Sequence, residues 1–227
     1  MPAAAAPEGN RYWSALAQGA LAAALVVVPV AVVRGSISNL TSCWQETVFY
    51  VMAVAAGSMS GLWGFKFSAG ITESKPQRLF VWSAVVFLVL YLALAALLAK
   101  IGLATLKGSI WPTTGVVLVA LGLALRLWAI YHLGCFHSAF VTIQAEHELV
   151  KTGPYALIRH PSYLGLLVAA AGVPLVFSTW LPLFALPGAF VLFKWRIDTE
   201  DEFLAAQFQE EFEKYKAGRW KMIPYLY

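Results

Sequence analysis

The sequence predicts an all-α integral membrane protein with five to six transmembrane helices, the last two forming a hairpin. Of its 227 residues, 60% are hydrophobic and only 12% are charged, about half the charged fraction of a soluble domain. No segment alternates with the period of two that is typical of a strand, and a chain crosses lipid only as helices or as a closed barrel. A single membrane domain accounts for the whole length.

Six apolar stretches are candidates for crossing a bilayer, which takes about 20 residues of helix. The last two are short and are interrupted by Pro182 and Pro187. We therefore expect a tight helical hairpin whose second arm continues into a polar tail. The expected spans are 14–33, 47–65, 79–99, 110–133, 163–180 and 183–195.

The basic residues are distributed unequally between the two sides of these spans. With six spans both termini share one side, and only Arg34, Lys100 and Lys107 fall on the other. The positive-inside rule then places both termini, the 144–160 loop and the tail in the cytoplasm. The sequon Asn39-Leu40-Thr41 falls on the opposite side.

Several functional classes lack support in the sequence. Cys43 and Cys135 fall on opposite sides of the predicted membrane, so we expect no disulfide. The four histidines and two cysteines lack zinc-site spacing, and we expect no metal. The net charge of +4 reports membrane topology rather than nucleic-acid binding. No nucleophile elbow, phosphate-binding loop or dinucleotide fingerprint is present.

The tripeptide Arg159-His160-Pro161 is the first candidate for chemistry. Pro161 suits the first turn of a helix, which directs His160 and the unbonded N–H groups of that helix to one point. Such a point is a site for an anionic group of a ligand. Alternatively, the segment is an interfacial helix start, with Arg159 on lipid headgroups and Tyr163 in an aromatic belt.

The second candidate follows the last apolar arm, where Glu200 lies one helical turn after Arg196. The pair is either a snorkelling arginine in a surface ion pair or an arginine fork for a carboxylate or phosphate. Arg126, near the end of the fourth span, is a third candidate, because charges within spans are costly and often functional. Alternatively, its side chain snorkels to the cytoplasmic surface. Segment 198–216 predicts a cytoplasmic amphipathic helix, since its apolar residues recur every three to four positions.

These segments occur in an order that resembles the isoprenylcysteine carboxyl methyltransferase family and the related membrane phospholipid methyltransferases. The resemblance covers about the last hundred residues, which divides the chain into N-terminal spans (1–109) and a catalytic half (110–227). The family usually has a second Glu at Asp201 and a Gly at Gln209. The matching residues are Leu125-Arg126, Leu133-Gly134, His147-x-Leu149-Val150, Gly153-Pro154-Tyr155, Arg159-His160-Pro161-x-Tyr163-x-Gly165, Arg196-Ile197-x-x-Glu200-Asp201-x-x-Leu204, Phe208, Glu210, Tyr215 and Ile223-Pro224.

The resemblance implies a methyltransferase that uses S-adenosylmethionine, in a cytoplasm-facing pocket closed by the tail. Arg196 and Glu200 would be catalytic, with Arg196 orienting a lipophilic or prenylated acceptor in the membrane. The acceptor group remains open between a prenylcysteine carboxylate, a phosphatidylethanolamine amine and a small thiol. The residues implied for the cofactor are His147, Leu149, Val150, Gly153, Tyr155, His160, Pro161, Tyr163, Glu200 and Asp201.

Two other functions remain as alternatives. The ending 222–227 resembles that of membrane sterol reductases that use NADPH, but Ser162 and Leu166 stand where those proteins have Asn and Asp. A non-catalytic membrane scaffold or small transporter is the other alternative, although the spans carry few charges for a transport path.

Overall fold

The computed structural model describes residues 8–36, 40–63, 75–134 and 149–227. Within these ranges no strand is present, and the only ladder pairings are isolated bridges, so the all-α fold class is confirmed. Asn39, Cys135 and His147 lie outside the described residues. The helices are α1 (Glu8–Arg34), α2 (Trp44–Leu62), α3 (Lys75–Ile101), α4 (Ile110–Leu133), α5 (Pro161–Val176) and α6 (Leu186–Lys216), with 3-10 turns at Gly153–Ala156 and Leu181–Ala185.

Three of the helices are long and apolar enough to cross a membrane, at Tyr12–Arg34, Leu79–Ile101 and Ile110–Leu133. Only 22–28% of the residues in their apolar windows are buried against protein. Large side chains such as Val32 and Leu90 point outward instead. Apolar surface on this scale requires a lipid surrounding, and the chain is an integral membrane protein.

Glycines bring α4 and α5 into close contact. A Cβ on Gly122 or on Gly165 would collide with the carbonyl oxygen of the other, and Gly115 and Gly172 face each other in the same way. Small residues at facing positions let helix backbones approach closely in lipid. The contact sets the backbone of Arg126 in α4 against Gly165, one turn after the start of α5.

A proline in α5 explains how α3 is fixed to it. Pro174 has no N–H, so the carbonyl of Ala170 loses its helical partner. The hydroxyl of Tyr91 on α3 donates a hydrogen bond of 2.9 Å to this carbonyl. The unsatisfied group inside α5 thus becomes the attachment point for a neighbouring helix.

One end of the bundle is closed by an ion pair between α1 and α2. Arg34 donates from Nη1 and Nη2 to the two carboxylate oxygens of Glu46, both at 2.8 Å. Arg34 also donates to the carbonyl of Leu40, and the N–H of Ser42 donates to Glu46. Lys100 reaches the same end, where its Nζ donates to the carbonyl of Val33. We call this the α1–α2 end.

The opposite end gathers the chemistry-bearing segments. The C-terminal part of α2 lies beside the start of α1, where Gly61 packs on Ala15, and Trp63 contacts Tyr131 near the end of α4. Helix α5 begins at this end. Helix α6 reaches it at Arg196, whose guanidinium lies over the ring of Phe80.

Helix α6 continues from the last apolar arm into the tail as one element, with a kink at Gln209. The backbone of Gln209 has φ 43° and ψ −116°, a conformation that favours glycine. The arms of the expected hairpin meet where Tyr163 of α5 contacts Phe193 of α6. The hairpin as a pair of membrane spans stays a prediction.

Candidate functional site

A cavity of about 530 Å³ has walls from all six helices. Its lining positions on α3 extend from Phe80 to Leu92, about 18 Å of helix. Most of the wall is apolar. Polar side chains gather where α5 begins, and we call this region the polar end of the cavity: Arg126, Tyr155, Arg159, His160, Ser162, Tyr163 and Glu200.

His160 lies between two carboxylates at the polar end. Its Nε2 is 2.9 Å from Oδ1 of Asp201 and its Nδ1 is 3.4 Å from Oε2 of Glu200. Burial lowers the pKa of His160, but the hydrogen bonds to Asp201 and Glu200 outweigh it, and the net shift is upward. Because both ring nitrogens face acceptors, the imidazolium is the form that satisfies the site.

Glu200 is the carboxylate on which this network converges. The Tyr163 hydroxyl donates to its Oε1 at 2.6 Å, and Nε of Arg196 donates to the same atom at 2.9 Å. Burial raises the pKa of Glu200. The hydrogen bond from His160 and the charge of Arg196 lower it by a larger amount, and the net pKa is about 2. Glu200 is therefore ionised at neutral pH, at the wall of an apolar cavity.

Asp201 faces a different set of partners from Glu200. Nη1 of Arg159 donates to its Oδ2 at 2.7 Å, and its other oxygen bonds His160. Asp201 is outside the described wall of the cavity. Its carboxylate therefore holds Arg159 and His160 from the side away from the cavity. The direct contact with the cofactor that the family resemblance implies for Asp201 stays a prediction.

The tail fixes the backbone of the same segment. The N–H of Arg159 donates to the carbonyl of Trp220, and that of His160 to the carbonyl of Lys221, both at 2.9 Å. The Lys221 ammonium also donates to Asp198 at 2.5 Å. Segment 220–227 thus ties the start of α5 to α6. No residue pattern predicts these pairings, because hydrogen bonds between main-chain groups do not depend on the identity of the side chains.

The structure brings together only part of the predicted cofactor set. Tyr155, His160, Tyr163 and Glu200 line the cavity, and Pro161 is the first residue of α5, as expected. The other residues lie outside the described wall, and their contact with a cofactor stays a prediction. They are the half-buried Leu149 and Val150 and also Gly153, which has φ +60° and packs on the His132 ring.

The arginines differ from the sequence expectation. Arg159 does not extend to lipid headgroups but is 8% exposed and lines the cavity. Arg196 is 3% exposed and directs its Nε to Glu200 and Tyr163. Ser162, which sequence reasoning did not select, accepts a hydrogen bond of 2.7 Å from Nη1 of Arg126.

Comparison with known proteins places a family resemblance on the same segments. Residues 115–206 match the model of the isoprenylcysteine carboxyl methyltransferase family. The protein-S-isoprenylcysteine O-methyltransferase of Saccharomyces cerevisiae is 38% identical over 117 residues, 49% of this chain and 48% of that protein. Its counterpart in Schizosaccharomyces pombe is 32% identical over 122 residues, 52% of this chain and 51% of that protein.

A bacterial relative extends the comparison. The uncharacterized protein YpbQ of Bacillus subtilis is 31% identical over 112 residues, 48% of this chain and 66% of that protein. The matches thus span about half the length of the yeast relatives.

A solved structure of a eukaryotic intramembrane Ras methyltransferase, isoprenylcysteine carboxyl methyltransferase, superposes with a TM-score of 0.56 at 22% identity. The superposition covers 93% of this chain and 77% of the methyltransferase chain, which shows a common fold. The resemblance to the isoprenylcysteine carboxyl methyltransferase family that the motifs indicated is therefore confirmed, and it is carried by α4, α5 and the first two-thirds of α6.

Proposed function

We propose that this chain is an integral membrane methyltransferase that uses S-adenosylmethionine and acts on a lipophilic acceptor, most like protein-S-isoprenylcysteine O-methyltransferase. One observation carries the proposal: a single cavity joins an ionised polar end to a long apolar wall. A water-soluble methyl donor and a lipid-soluble acceptor need both environments in one space. The matches to methyltransferases on the same helices support it.

The polar end suits the donor's functional groups. Ionised Glu200 provides a counter-charge or a hydrogen-bond acceptor, and Tyr155 and Tyr163 provide aromatic faces for cationic groups. The imidazolium of His160 provides a positive charge for a carboxylate. The volume of about 530 Å³ lies in the range of small-molecule sites, about 300–1,000 Å³. Family resemblance adds His147, Leu149, Val150, Gly153, Pro161 and Asp201 to the proposed cofactor neighbourhood.

When bound, S-adenosylmethionine supplies a methyl group from a sulfonium, so that a C–O bond to a carboxylate acceptor forms while the C–S bond breaks and its electron pair goes to sulfur. No proton is released when the acceptor is a carboxylate. The protein's task is then to align the two partners and to exclude water, and alignment alone supplies roughly 7–11 kcal/mol.

Arg196 and Glu200 divide that task in the proposed mechanism. Glu200 faces the cavity and positions the reacting partners. Arg196 fixes the Glu200 carboxylate through Nε and stacks over Phe80, so its contribution to acceptor orientation passes through Glu200 and Tyr163.

The membrane arrangement follows from the same proposal. We infer that α2, α5 and the first part of α6 also cross the membrane, which gives six spans, and that α5 and α6 form the predicted hairpin. The polar end, both termini and the amphipathic part of α6 then face the cytoplasm. The donor enters from that side, and the acceptor enters from lipid.

The test is calorimetric titration of the detergent-purified protein with S-adenosylhomocysteine, with NADPH run in parallel. Binding of the first without the second is the expected result. Binding of NADPH alone would move the assignment to the sterol reductases, and binding of neither would favour a non-catalytic scaffold. Transfer from a methyl-labelled donor to isoprenylcysteine, phosphatidylethanolamine or a small thiol then identifies the acceptor.

A further inference from the structure

Large apolar side chains are exposed in the segment that follows α6, outside the six helices. Tyr225 is 89% exposed, Leu226 is 77% exposed and Trp220 is 41% exposed. The rings of Trp220 and Tyr225 lie against each other, with 5.1 Å between their centroids. We call these three residues the tail tip. Exposed apolar side chains that lie side by side usually mark a surface that contacts another protein or a membrane.

The tail tip is held by a closed turn of the main chain. The N–H groups of Leu226 and Tyr227 donate to the carbonyl of Ile223 at 3.1 and 2.9 Å, and the N–H groups of Met222 and Ile223 donate to the carbonyl of Tyr227, both at 2.8 Å. The fully buried Met222 anchors the base of the turn. Tyr225 has φ +64°, a conformation that is uncommon for a side chain of this size. The turn therefore presents Tyr225 and Leu226 outward in a fixed position.

The tail tip lies beside the apolar arm of α6. The ring of Tyr227 packs edge-on against Phe190 of this arm, with 5.6 Å between the ring centroids. Phe190 precedes Trp195, the last residue of the expected span 183–195, by about 8 Å of helix. The neighbouring Val191 is 62% exposed, so this part of α6 has an apolar outer surface. The tail tip continues that surface at a level where tryptophan and tyrosine are enriched in membrane proteins.

The charges of the same segment suit the headgroup layer of a phospholipid membrane. The residues after Glu213 include four cations and no acidic side chain: Lys214, Lys216, Arg219 and Lys221. Lys221 is held by Asp198. The side chains of Lys214 and Lys216 are 81% and 45% exposed and pair with exposed glutamates one turn earlier. Ion pairs between exposed side chains are weak, so lipid phosphates can compete for these lysines.

The main chain of this segment also holds two residues of the polar end of the cavity. The carbonyls of Trp220 and Lys221 accept hydrogen bonds from the N–H groups of Arg159 and His160. The Lys221 ammonium and the Tyr227 hydroxyl both donate to Oδ1 of Asp198 on α6. Displacement of segment 220–227 would therefore release the start of α5 from α6. A contact that fixes the tail tip also fixes the wall of the cavity at Arg159 and His160.

We propose that Trp220, Tyr225 and Leu226 insert into the phospholipid interface of the cytoplasmic leaflet, and that this contact holds Arg159 and His160 in the arrangement that binds the methyl donor. The contact with lipid depends on the apolar arm of α6 lying in the membrane. Its effect on donor binding rests on the proposed function. Insertion removes apolar surface from water, so the membrane increases the fraction of protein whose cavity wall is assembled.

The first test measures the depth of the tail tip directly. Leu226→Cys, in a protein that also carries Cys43→Ser and Cys135→Ser, is labelled with an environment-sensitive fluorophore and placed in phosphatidylcholine nanodiscs. Lipids with a quencher on the upper acyl chain should shift the emission to the blue and quench it by more than half. The matched control is Glu210→Cys, whose side chain is 90% exposed on α6 and should stay in water, without quenching.

The second test measures the affinity for S-adenosylhomocysteine in the same nanodiscs. Tyr225→Ser combined with Leu226→Ser removes the apolar side chains at exposed positions, and we expect binding to weaken by about 5- to 20-fold. Tyr225→Phe combined with Leu226→Met keeps the apolar surface and should bind as the wild type does. Leu103→Ser combined with Ile110→Ser removes exposed apolar surface beside the α1–α2 end and should leave the affinity unchanged.

Three results would separate and overturn the parts of this inference. A label at position 226 that is as unquenched as the label at position 210 would place the tail tip in water and would contradict the contact with lipid. An unchanged affinity in the double serine variant would show that the contact does not hold the donor site. Failure of the wild type to bind S-adenosylhomocysteine would contradict the proposed function, whereas quenching at position 226 would still support the contact with lipid.

Discussion

The two ends of the helix bundle both bury arginines and carboxylates, but the charges are arranged differently. At the α1–α2 end, Arg34 and Glu46 form a one-to-one pair with both carboxylate oxygens bonded. At the polar end of the cavity, the cations Arg126, Arg159 and His160 outnumber the carboxylate of Glu200, and Nε of Arg159 has no hydrogen-bond partner within the described part of the chain. A pair that is satisfied internally stabilises the fold, whereas an excess of one charge beside a cavity indicates a ligand.

The largest effect is expected from Glu200→Gln, which keeps the shape of the side chain and removes its charge. Arg196 and His160 would then lose the carboxylate that they share. Loss of one charged or polar group that acts at a reaction site lowers turnover by about 10²- to 10³-fold, and we expect a fall of this size in methyl transfer. The measurement is initial rate with a methyl-labelled donor. A rate within a few-fold of wild type would remove Glu200 from the site.

The matched change at the other end is Glu46→Gln. It leaves Arg34 buried without a counter-charge, and we expect the free energy of unfolding to fall by about 3–5 kcal/mol. The affinity of the folded protein for S-adenosylhomocysteine should be unchanged, because Glu46 is far from the polar end. Thermal unfolding in detergent and calorimetry measure the two quantities. Loss of ligand affinity without loss of stability would reverse the roles assigned to the two ends.

The free energy of unfolding should depend on pH through Glu200 and His160 at the polar end of the cavity. The pKa of Glu200 is lowered from 4.5 to about 2, so its stabilisation is complete above about pH 4.5 and is lost as the pH falls toward 2. The raised pKa of His160 acts oppositely: its stabilisation is present below about pH 6.5 and is lost as the pH rises through the folded-state value. Thermal unfolding across this range should show a steeper acid decline in wild type than in Glu200→Gln.

A smaller effect is expected at the kink in α6. Gln209 has a positive φ that side chains rarely adopt, and residues in such conformations are strained by about 1–3 kcal/mol. Gln209→Gly should therefore raise the free energy of unfolding by about 1 kcal/mol, after the entropic cost of glycine. The control Ala206→Gly, at an exposed helical position of α6, should lower it by about the same amount. Destabilisation by both changes would show that the backbone at Gln209 is unstrained.

Helix positions were largely predictable from sequence, because they follow from local apolar patterns. The expected span 110–133 coincides with α4, and Pro161 begins α5. The kink at Gln209 was not predicted, because the apolar pattern of segment 198–216 continues across it. The start of α2 was expected at residue 47 but lies at Trp44, because Glu46 is held by Arg34 inside the helix rather than left in a polar loop.

The partners within the site were less predictable, because they depend on how distant segments pack. Arg196 and Glu200 lie one helical turn apart, and their ion pair was predicted from this spacing. The bonds of Asp201 to Arg159 and His160, and of Arg126 to Ser162, join residues 36 to 42 positions apart. Their formation depends on the glycine contact between α4 and α5 and on the return of α6 to the start of α5.

The most direct test is an experimental structure of the detergent-solubilised protein with S-adenosylhomocysteine bound. Density for the ligand against His160, Tyr163 and Glu200, with the Arg34–Glu46 pair unchanged, is the predicted result. Ligand density at the α1–α2 end, or an unliganded cavity at a saturating concentration, would contradict the assignment of the polar end as the site of methyl transfer.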